Sequence, residues 1–235
     1  LRLKGYRVFY DMHGFPEKKR WFWKQVMRRM TGIIATNNWK VAQCTALFGI
    51  PAAQMTVAPN GFDPALFLIQ DSKEVLREKL GLPRDARIVL YAGHLYDWKG
   101  AEVLLAAARG RDELFYFVGG AGRVLDEFRK KAQGLVNVFV LGHKPYAEIP
   151  RYLKAADVLV LPNSARAKDP RFAIYSQSDT SPIKLFEYMA SGTPIVASDL
   201  PSVRDTGRVR YIKNISELVI ALEARAHQDA ELLEE

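Results

Sequence analysis

The stretch RIVLYAGHLYDWKGAEVLLAAAR, residues 87–109, decides the fold, because a strand pattern and a helix pattern follow one another in it. Its first part, RIVLYAG (87–93), is predicted to be a strand, because a short, β-branched apolar run without polar alternation is typical of a strand covered on both faces of a sheet. A polar loop then leads into AEVLLAAAR, which is predicted to be a helix. The stretch therefore predicts one strand–helix unit of a parallel sheet.

The same order repeats, so that about five units fall between residues 87 and 198. Further strands are predicted in LFYFVGG, VNVFVLG, DVLVLPN and TPIVAS, the last of the series, and further helices in VLDEFRKKAQ, YAEIPRYLKAA, PIKLFEYMASG and after Ser216. The pattern predicts an α/β fold with a doubly wound, Rossmann-like parallel sheet. The long irregular stretch 163–179 is predicted to be a functional loop beside a site.

The beginning of the chain is organised differently. Strands are predicted at 6–10, at 32–37 and in MTVAPNGFD, with a helix near 39–48, and so few strands do not close a sheet alone. We expect residues 1–62 to be the remnant of a preceding domain and residues 63–235 to be a second domain. The chain starts with Leu and ends in a charged helical pattern without a stop signal, so we expect a segment of a longer polypeptide.

Composition narrows the function classes. The single cysteine, Cys44, excludes an internal disulfide and fits a reducing compartment. No apolar run approaches the roughly 18 residues of a membrane span, and no signal peptide is visible, so we expect a cytoplasmic protein. The net charge of +8 is scattered along the chain and accompanies no nucleic-acid-binding motif, so we expect no nucleic-acid partner.

One basic cluster stands out, EKKRWFWKQVMRRM at residues 17–30, within a helix predicted from 17 to 31. On that helix Phe22, Val26, Met30 and Ile33 would share a face, with Trp23 and Met27 beside them, and Lys18, Lys19, Lys24, Arg28 and Arg29 would supply positive charge. Two interpretations stay open. The helix lies peripherally on the anionic inner face of a membrane, or it packs on a sheet with its charges in water.

Ligands of a doubly wound sheet bind at the carboxyl ends of its strands, so the loops that follow strands are the places to examine. The loop after the first strand of the series carries His94 and Lys99, followed by Gly100 and a helix. A lysine near a helix start can bind a diphosphate, its charge adding to the positive end of the helix. The alternative is that Lys99 and Gly100 form only an exposed turn.

The next loop is rich in glycine: Gly119, Gly120 and Gly122 follow a strand and let a phosphate or a ring approach the backbone closely. A dinucleotide site also needs an acid roughly 20 residues on, at the end of the following strand. That position holds VLGHKP, without an acid, which disfavours an NAD-binding oxidoreductase. The loop 142–145 could edge a base, although ordinary packing is favoured.

The stretch SDTSPIKLFEYMASG (178–192) is predicted to be a helix with an anion-binding start. Its proline suits the first helical position, and Thr180 or Ser181 can cap the helix. The free amides around Ser181, Ile183 and Lys184 form an anion site together with the helix dipole, and the Lys184 side chain adds a charge.

Two carboxylates flank this helix start. Asp179 lies at its mouth and Glu187 one to two turns inside. Such a pair can accept hydrogen bonds from two sets of vicinal hydroxyls, those of a sugar and those of a ribose. The alternative is that Glu187 is a solvated helix residue and Asp179 a capping group.

Together these loops resemble the C-terminal half of a retaining glycosyltransferase of the GT-B fold, family 4. The matching pieces are VAPNGFD, YAGHLYDWKG, FVGGAG, ADVLVLPN and SPIKLFEYMASGTPIVASDLPSVRD, in the family's order, over most of residues 30–215. Asp179 and Glu187 resemble the family's signature of two acids separated by seven residues. The resemblance implies a GT-B fold whose N-terminal domain is incomplete, with 1–62 from the acceptor side and 63–235 as the nucleotide-sugar-binding domain.

The resemblance also implies roles. Lys99 would bind the donor diphosphate, Glu187 the ribose hydroxyls and Asp179 the hydroxyls of the donor sugar, with Lys99 and Asp179 as the catalytic residues. The substrate-binding residues would be His94, Gly119, Gly120, Thr180, Ser181, Ile183, Lys184 and Glu187. His94 stands where the family usually has Arg, and a neutral imidazole donates one hydrogen bond in place of a charged fork. His13, in DMHG, resembles a family position near the acceptor.

The implied activity is transfer of a sugar from a nucleoside diphosphate sugar to a glycan or lipid-linked acceptor, with retention at the anomeric carbon. We expect no cofactor and no required metal, because no acidic metal cluster is visible and the cations already neutralise the diphosphate. The alternatives are a nucleotide-sugar epimerase or hydrolase of the same fold and a non-catalytic nucleotide-sugar-binding module. We expect this chain to bind donor better than it catalyses transfer.

Overall fold

Two separate parallel sheets organise the chain in the computed structural model, which describes residues 5–16, 18–164, 183–200, 209–214 and 216–222. The smaller sheet has the order β1-β2-β3, with strands Phe9–Met12, Gly32–Ala35 and Met55–Val57. Its helices are α1 (Arg20–Arg28) and α2 (Asn38–Gln43), and α2 continues into a π-helical turn, Cys44–Phe48. Both strand pairs are parallel, as predicted.

The larger sheet has six parallel strands in the order β6-β5-β4-β7-β8-β9. Its strands are β4 (Ile88–Ala92), β5 (Leu114–Val118), β6 (Val138–Gly142), β7 (Val158–Leu161), β8 (Ile195–Ser198) and β9 (Arg210–Ile212). The helices are α3 (Lys73–Leu80), α4 (Ala101–Ala107), α5 (Gly122–Ala132), α6 (Ile149–Ala155) and α7 (Ile183–Ser191), and residues 216–222 are also helical.

The strand order explains where a ligand can bind. The chain enters at β4 in the middle of the sheet, moves outward to β6, and returns to β7 on the other side of β4 before moving outward to β9. This is the order of a Rossmann-like doubly wound sheet, so the predicted fold class is confirmed. The order reverses between β4 and β7, and the carboxyl ends of these two strands therefore border a crevice.

Strand β4 is buried on both faces, as its unbroken apolar run predicts. Ile88 and Leu90 belong to a core shared with α3, α6 and α7. Val89 and Tyr91 point to the opposite core, which α4 and α5 cover. The alternation of side chains along a strand thus distributes one run of apolar residues between two layers.

Five predicted boundaries differ from the structure. Strand β1 spans Phe9–Met12 and not the predicted 6–10. Helix α1 spans Arg20–Arg28 and is shorter than the predicted 17–31, so Met30 and Ile33 lie outside it. The predicted helix near 39–48 is α2 followed by a π-helical turn. In YAEIPRYLKAA the α-helix begins at Ile149, which places Pro150 in the first turn, where a missing N–H costs nothing. TPIVAS is not the last strand, because β9 follows it.

A buried ion pair anchors α3 to the start of β7. Arg77, which is 4% exposed, donates to Asp157 at 2.6 Å and to three backbone carbonyls. Lys73 binds the other Asp157 oxygen at 2.8 Å. Burial by itself raises the pKa of Asp157, but the hydrogen bonds from Lys73 and the Ile88 amide, with both positive charges, outweigh burial and lower this pKa.

Candidate functional site

The turn that carries Lys99 is fixed against the end of β7. Gly100 follows it with φ +72°, and a Cβ at this position would lie 1.7 Å from the Pro162 carbonyl oxygen. Only glycine allows this approach. The Ser164 amide also donates to the Trp98 carbonyl at 2.9 Å. The turn therefore lies at the crevice between β4 and β7, where the topology predicts a ligand.

The Lys99 side chain is largely buried beside an aromatic ring. Its ammonium lies 4.1 Å from the centroid of the Trp98 ring. Burial, and to a smaller extent the positive charge of Lys184, together lower the pKa of Lys99 to about 8. Among the residues that the structure describes, no carboxylate or hydrogen-bond acceptor contacts this ammonium. Within the described ranges, a positive charge without a carboxylate partner is thus held at the edge of the sheet.

Helix α7 brings a cation and an acid to the same region. Lys184 Nζ lies 2.6 Å from Glu187 Oε2, an ion pair at i, i+3 spacing. The Glu187 residue is 1% exposed, so it is not the solvated helix residue of the alternative interpretation. The Lys184 ammonium also lies 5.9 Å from the ring centroid of Tyr146. Lys184 thus orients the Glu187 carboxylate, for which the family resemblance implies a role in ribose binding.

His94 shows that these loops converge. Burial lowers its pKa, and the charges of Lys99, Lys184 and His143 lower it further. The four residues come from the loops after β4 and β6 and from α7, so these elements meet at one edge of the sheet. A lowered pKa leaves the His94 imidazole neutral near pH 7, with one hydrogen bond to donate.

A buried tyrosine fixes the distance between the two sides of the site. The Tyr188 hydroxyl accepts from the Ala92 amide at 2.8 Å and donates to the Ala92 carbonyl at 3.2 Å. Ala92 is the last residue of β4, and Tyr188 follows Glu187 on α7. The pair of bonds ties α7 to the strand that leads to Lys99.

Tyr146 is a site residue that the sequence did not predict. Burial raises its pKa, and a hydrogen bond with Glu187 and the charge of that carboxylate raise it further. Tyr146 follows β6, in the region where ordinary packing was expected, and 46% of it is exposed. The only sequence signal is an aromatic residue just after a strand end, which does not by itself indicate a site.

The glycine-rich loop has a structural reason for its glycines. A Cβ on Gly119 would lie 2.3 Å from the carbonyl oxygen of Gly93, and one on Gly120 would lie 2.6 Å from Leu95. The loop after β5 therefore packs directly on the loop after β4. A role of Gly119 and Gly120 in substrate binding stays a prediction.

For several candidate residues, a role in the site is suggested by the sequence alone. Asp179, Thr180 and Ser181 lie outside the described residues. Ile183 is the first residue of α7 and is 37% exposed. His13 follows β1 and is exposed, with Nε2 3.3 Å from Asp11 Oδ2. The roles assigned to these residues stay predictions.

Two hollows lie near these elements. One of about 690 Å³ separates α4 from the ends of β7, β8 and β9, and no described candidate residue lines it. A smaller apolar hollow of about 380 Å³ is lined by Phe62, Pro64 and Phe186, next in sequence to Glu187. Convergent charge, and not cavity size, therefore locates the candidate site. Within the described ranges, no three histidine, cysteine or acidic residues are grouped to hold a metal ion.

Comparisons with known proteins bear on the family of the chain. A family model described as glycosyl transferases group 1 matches residues 72–208. The D-inositol 3-phosphate glycosyltransferase 1 of Catenulispora acidiphila is 28% identical over 182 residues, which cover 71% of this chain and 40% of that protein. The phosphatidyl-myo-inositol mannosyltransferase of Mycolicibacterium smegmatis is 33% identical over 177 residues, which cover 70% of this chain and 41% of that protein.

A solved structure shows the fold. The crystal structure of Anabaena Alr3699/HepE in complex with UDP-glucose matches with a TM-score of 0.70 and 20% identity, over 97% of this chain and 65% of that one. The predicted GT-B type is confirmed by such neighbours. The chain spans about 40% of the length of the curated relatives named above. Because the family model matches more than half of the chain, this chain belongs to the glycosyl transferases group 1 family.

Proposed function

We propose that this chain is the donor-binding part of a retaining glycosyltransferase, which transfers a sugar from a nucleoside diphosphate sugar to a glycan or lipid-linked acceptor. One observation carries the proposal: the ammonium groups of Lys99 and Lys184 converge beside the buried Glu187 carboxylate at the carboxyl edge of the sheet. Clustered cations at this edge suit an anionic ligand with hydroxyl groups. The related proteins are named as glycosyltransferases.

The site residues are proposed to have two kinds of role: some stabilise the charge of the diphosphate, and others bind hydroxyl groups of the donor. In the transfer, the bond between the anomeric carbon and the diphosphate oxygen breaks, and negative charge grows on the departing diphosphate. Lys99 and Lys184 are proposed to stabilise that charge. Lys184 and Tyr146 both contact the Glu187 carboxylate, and a remaining lone pair of that carboxylate is proposed to accept from a ribose hydroxyl. Asp179 is proposed to bind the donor sugar, and the small sheet β1–β3 to belong to the acceptor-side domain.

Calorimetry with a panel of nucleoside diphosphates and their sugars tests donor binding, with UDP-glucose as the first probe because the Anabaena structure contains it. Lys99→Ala should weaken binding at least tenfold, about 1.4 kcal/mol. Lys130→Ala, which removes an exposed lysine on α5, is the matched control and should leave the affinity unchanged. Unchanged affinity in Lys99→Ala removes Lys99 from the site, and a wild-type protein that binds no member of the panel overturns the proposal.

Transfer itself is tested on the full-length enzyme. Donor incubated with acceptor should give a product with the anomeric configuration of the donor, and chelation of divalent metals should leave the rate unchanged. Donor consumed at the same rate without acceptor identifies an epimerase or hydrolase instead. A rate abolished by chelation and restored by metal refutes the proposed metal independence.

We further propose that α1 contacts an anionic membrane surface. Trp21 is 75% exposed and Phe22 50% exposed, whereas Met27 is buried in the small core and Trp23 packs against it. The aromatic pair therefore lies on the outward side of the helix, in place of the predicted Phe22–Val26–Met30 face. The basic residues around the pair include Lys18, Lys19, Arg28 and Arg29, all exposed. No helix among the described residues is long and apolar enough to cross a bilayer.

Co-sedimentation with vesicles tests this contact. Binding to vesicles that contain anionic lipid should fall strongly in the Lys18→Glu, Arg28→Glu double variant, since charge attraction and apolar burial act together. The Arg109→Glu, Lys130→Glu variant reverses two exposed charges on other elements and should bind like the wild type. Equal binding by both variants refutes the assignment to α1.

A further inference from the structure

Lys99 lies in surroundings that disfavour its charge. Its side chain is largely buried, and the charge among the described residues that shifts its pKa is that of another cation, Lys184. Within the described part of the chain the Trp98 ring, 4.1 Å from the ammonium, is the contact that favours the charged form. The electron-rich face of an indole attracts a cation, and more strongly when water is excluded.

We infer that Trp98 is a positioning residue for Lys99, whose ring holds the ammonium at the crevice in the orientation that meets the donor diphosphate. The inference rests on the proposed function for the diphosphate, but the contact between ring and ammonium is a property of the free protein. The inferred role of Trp98 differs from that of the convergent cations, because Trp98 acts through its contact with Lys99.

The neighbouring rings restrict the orientation of the indole. Tyr96 lies nearly parallel to Trp98, with 6.5 Å between ring centroids and 12° between planes. His94 stacks in turn on Tyr96, at 5.2 Å and 22°. Three rings of one loop therefore form a row that ends at the ring that carries the Lys99 ammonium.

The backbone of the turn is held by groups other than the indole. The Lys99 amide donates to the Tyr96 carbonyl and the Ser164 amide to the Trp98 carbonyl, both at 2.9 Å. Gly100 packs against the Pro162 carbonyl. A change of the Trp98 ring should therefore leave the turn in place, so its effect on Lys99 can be measured separately.

The charged groups around Lys99 set the expected direction. Lys184 on α7 faces Lys99, as does His94 in its own loop, and His143 faces His94 from the loop after β6. All of these are cationic or neutral, so none compensates for burial. An aliphatic side chain at position 98 should therefore lower the pKa of Lys99 below about 8.

Trp98→Leu and Trp98→Phe test the inference, since the second keeps an aromatic face. Lysine side-chain NMR, with the Lys99 signal assigned by Lys99→Arg, should show a lower pKa in Trp98→Leu and a near wild-type value in Trp98→Phe. The dissociation constant for UDP at about pH 8 should rise roughly threefold or more in Trp98→Leu and stay within about twofold in Trp98→Phe. Trp21→Leu, at an exposed tryptophan of α1, is the matched control.

The possible outcomes of these experiments distinguish the inferred role of Trp98 from the proposed function of the chain. A Lys99 pKa that is the same in Trp98→Leu as in the wild type overturns the inference, and so does an equal loss of UDP binding in the Leu and Phe variants. If Trp98→Leu does not fold, Trp98→Met provides the aliphatic replacement for the same titration. A wild-type protein that binds no nucleoside diphosphate refutes the proposed function, while the NMR titration still decides whether Trp98 holds Lys99.

Discussion

Raising the pH from 7 to 9 should weaken donor binding about tenfold, because Lys99 loses its charge in that interval. Its ordinary pKa of 10.5 is lowered to about 8 in the free protein, by burial and by Lys184. A bound diphosphate surrounds the ammonium with negative charge and returns its pKa toward the ordinary value. Binding therefore takes up a proton at high pH, and affinity falls as the pH rises.

The magnitude follows from the fraction of Lys99 that is charged. With a pKa of about 8, roughly nine-tenths of the free protein carries the charge at pH 7 and roughly one-tenth at pH 9. If only the charged form binds, the dissociation constant rises about tenfold, or about 1.4 kcal/mol. Most of the change should fall above pH 8.

Other titrating groups of the site do not produce this dependence. The pKa of His94 is lowered from 6.5, so its imidazole is already neutral at pH 7. Burial raises the pKa of Tyr146, so its phenol stays protonated throughout this range. The Cys44 thiol, in the small sheet's core, has a pKa of about 11 and stays protonated as well.

Calorimetric titration with UDP-glucose at several pH values measures the effect, since a nucleotide sugar lacks the terminal phosphate that titrates near pH 6. Lys99→Arg is the control, because guanidinium keeps its charge throughout and should flatten the curve. Buffers of different ionisation enthalpy should reveal proton uptake at pH 8 in the wild type alone. A flat wild-type curve, or an equal slope in Lys99→Arg, refutes the assignment of the lowered pKa to Lys99.

Three further predictions concern stability and the Lys99 turn. Gly100→Ala should destabilise the fold by about 1 kcal/mol or more, since φ is +72° and the new methyl overlaps the Pro162 carbonyl. The variant should show a lower melting temperature and weaker UDP binding than the wild type. Wild-type values of both quantities contradict this prediction. Lys99→Met should stabilise the free protein near pH 7, by at most about 3 kcal/mol. Because the pKa of Lys99 is lower in the folded state than in the unfolded state, the free energy of unfolding of the wild type should rise between pH 8 and 10.5. In urea titrations, the stability difference between Lys99→Met and the wild type should therefore be smaller at high pH than at pH 7. Arg77→Met should cost about 3–5 kcal/mol by leaving Asp157 buried with fewer partners, and a midpoint in urea near that of the wild type contradicts it.

The sequence predicted the larger sheet well where strands are continuous apolar runs. Strand β4 begins and ends within a residue of its prediction, because both of its faces are buried and no polar residue interrupts it. Strand β9 was not predicted, because Arg210–Ile212 is only three residues long and has one buried residue, Ile212, and therefore shows no continuous apolar run. A short edge strand gets its place from pairing with β8, which the local sequence does not encode.

The candidate site was predictable only in part. Strand ends in the sequence pointed to Lys99 and His94, and the predicted helix start pointed to Glu187, and the structure brings these three residues to one edge of the sheet. The approach of Tyr146 to Glu187 depends on how the loop after β6 packs on α7, and no spacing rule predicts that. Adjacent residues such as Trp98 and Lys99 do not face one another in regular helices or strands, so their contact needs the turn that the structure shows.

The two lysines of the site are not equivalent, and the difference follows from their partners. Lys184 pairs with a buried carboxylate, so much of its field is already compensated, and its removal would leave Glu187 buried without its counterion. Lys99 contacts an aromatic face, and no carboxylate among the described residues compensates its charge. An uncompensated buried cation destabilises a fold and strengthens the attraction for an incoming anion for the same reason, the low local dielectric. On the proposed function, the larger share of diphosphate stabilisation therefore falls to Lys99, and Lys184 mainly orients the Glu187 carboxylate.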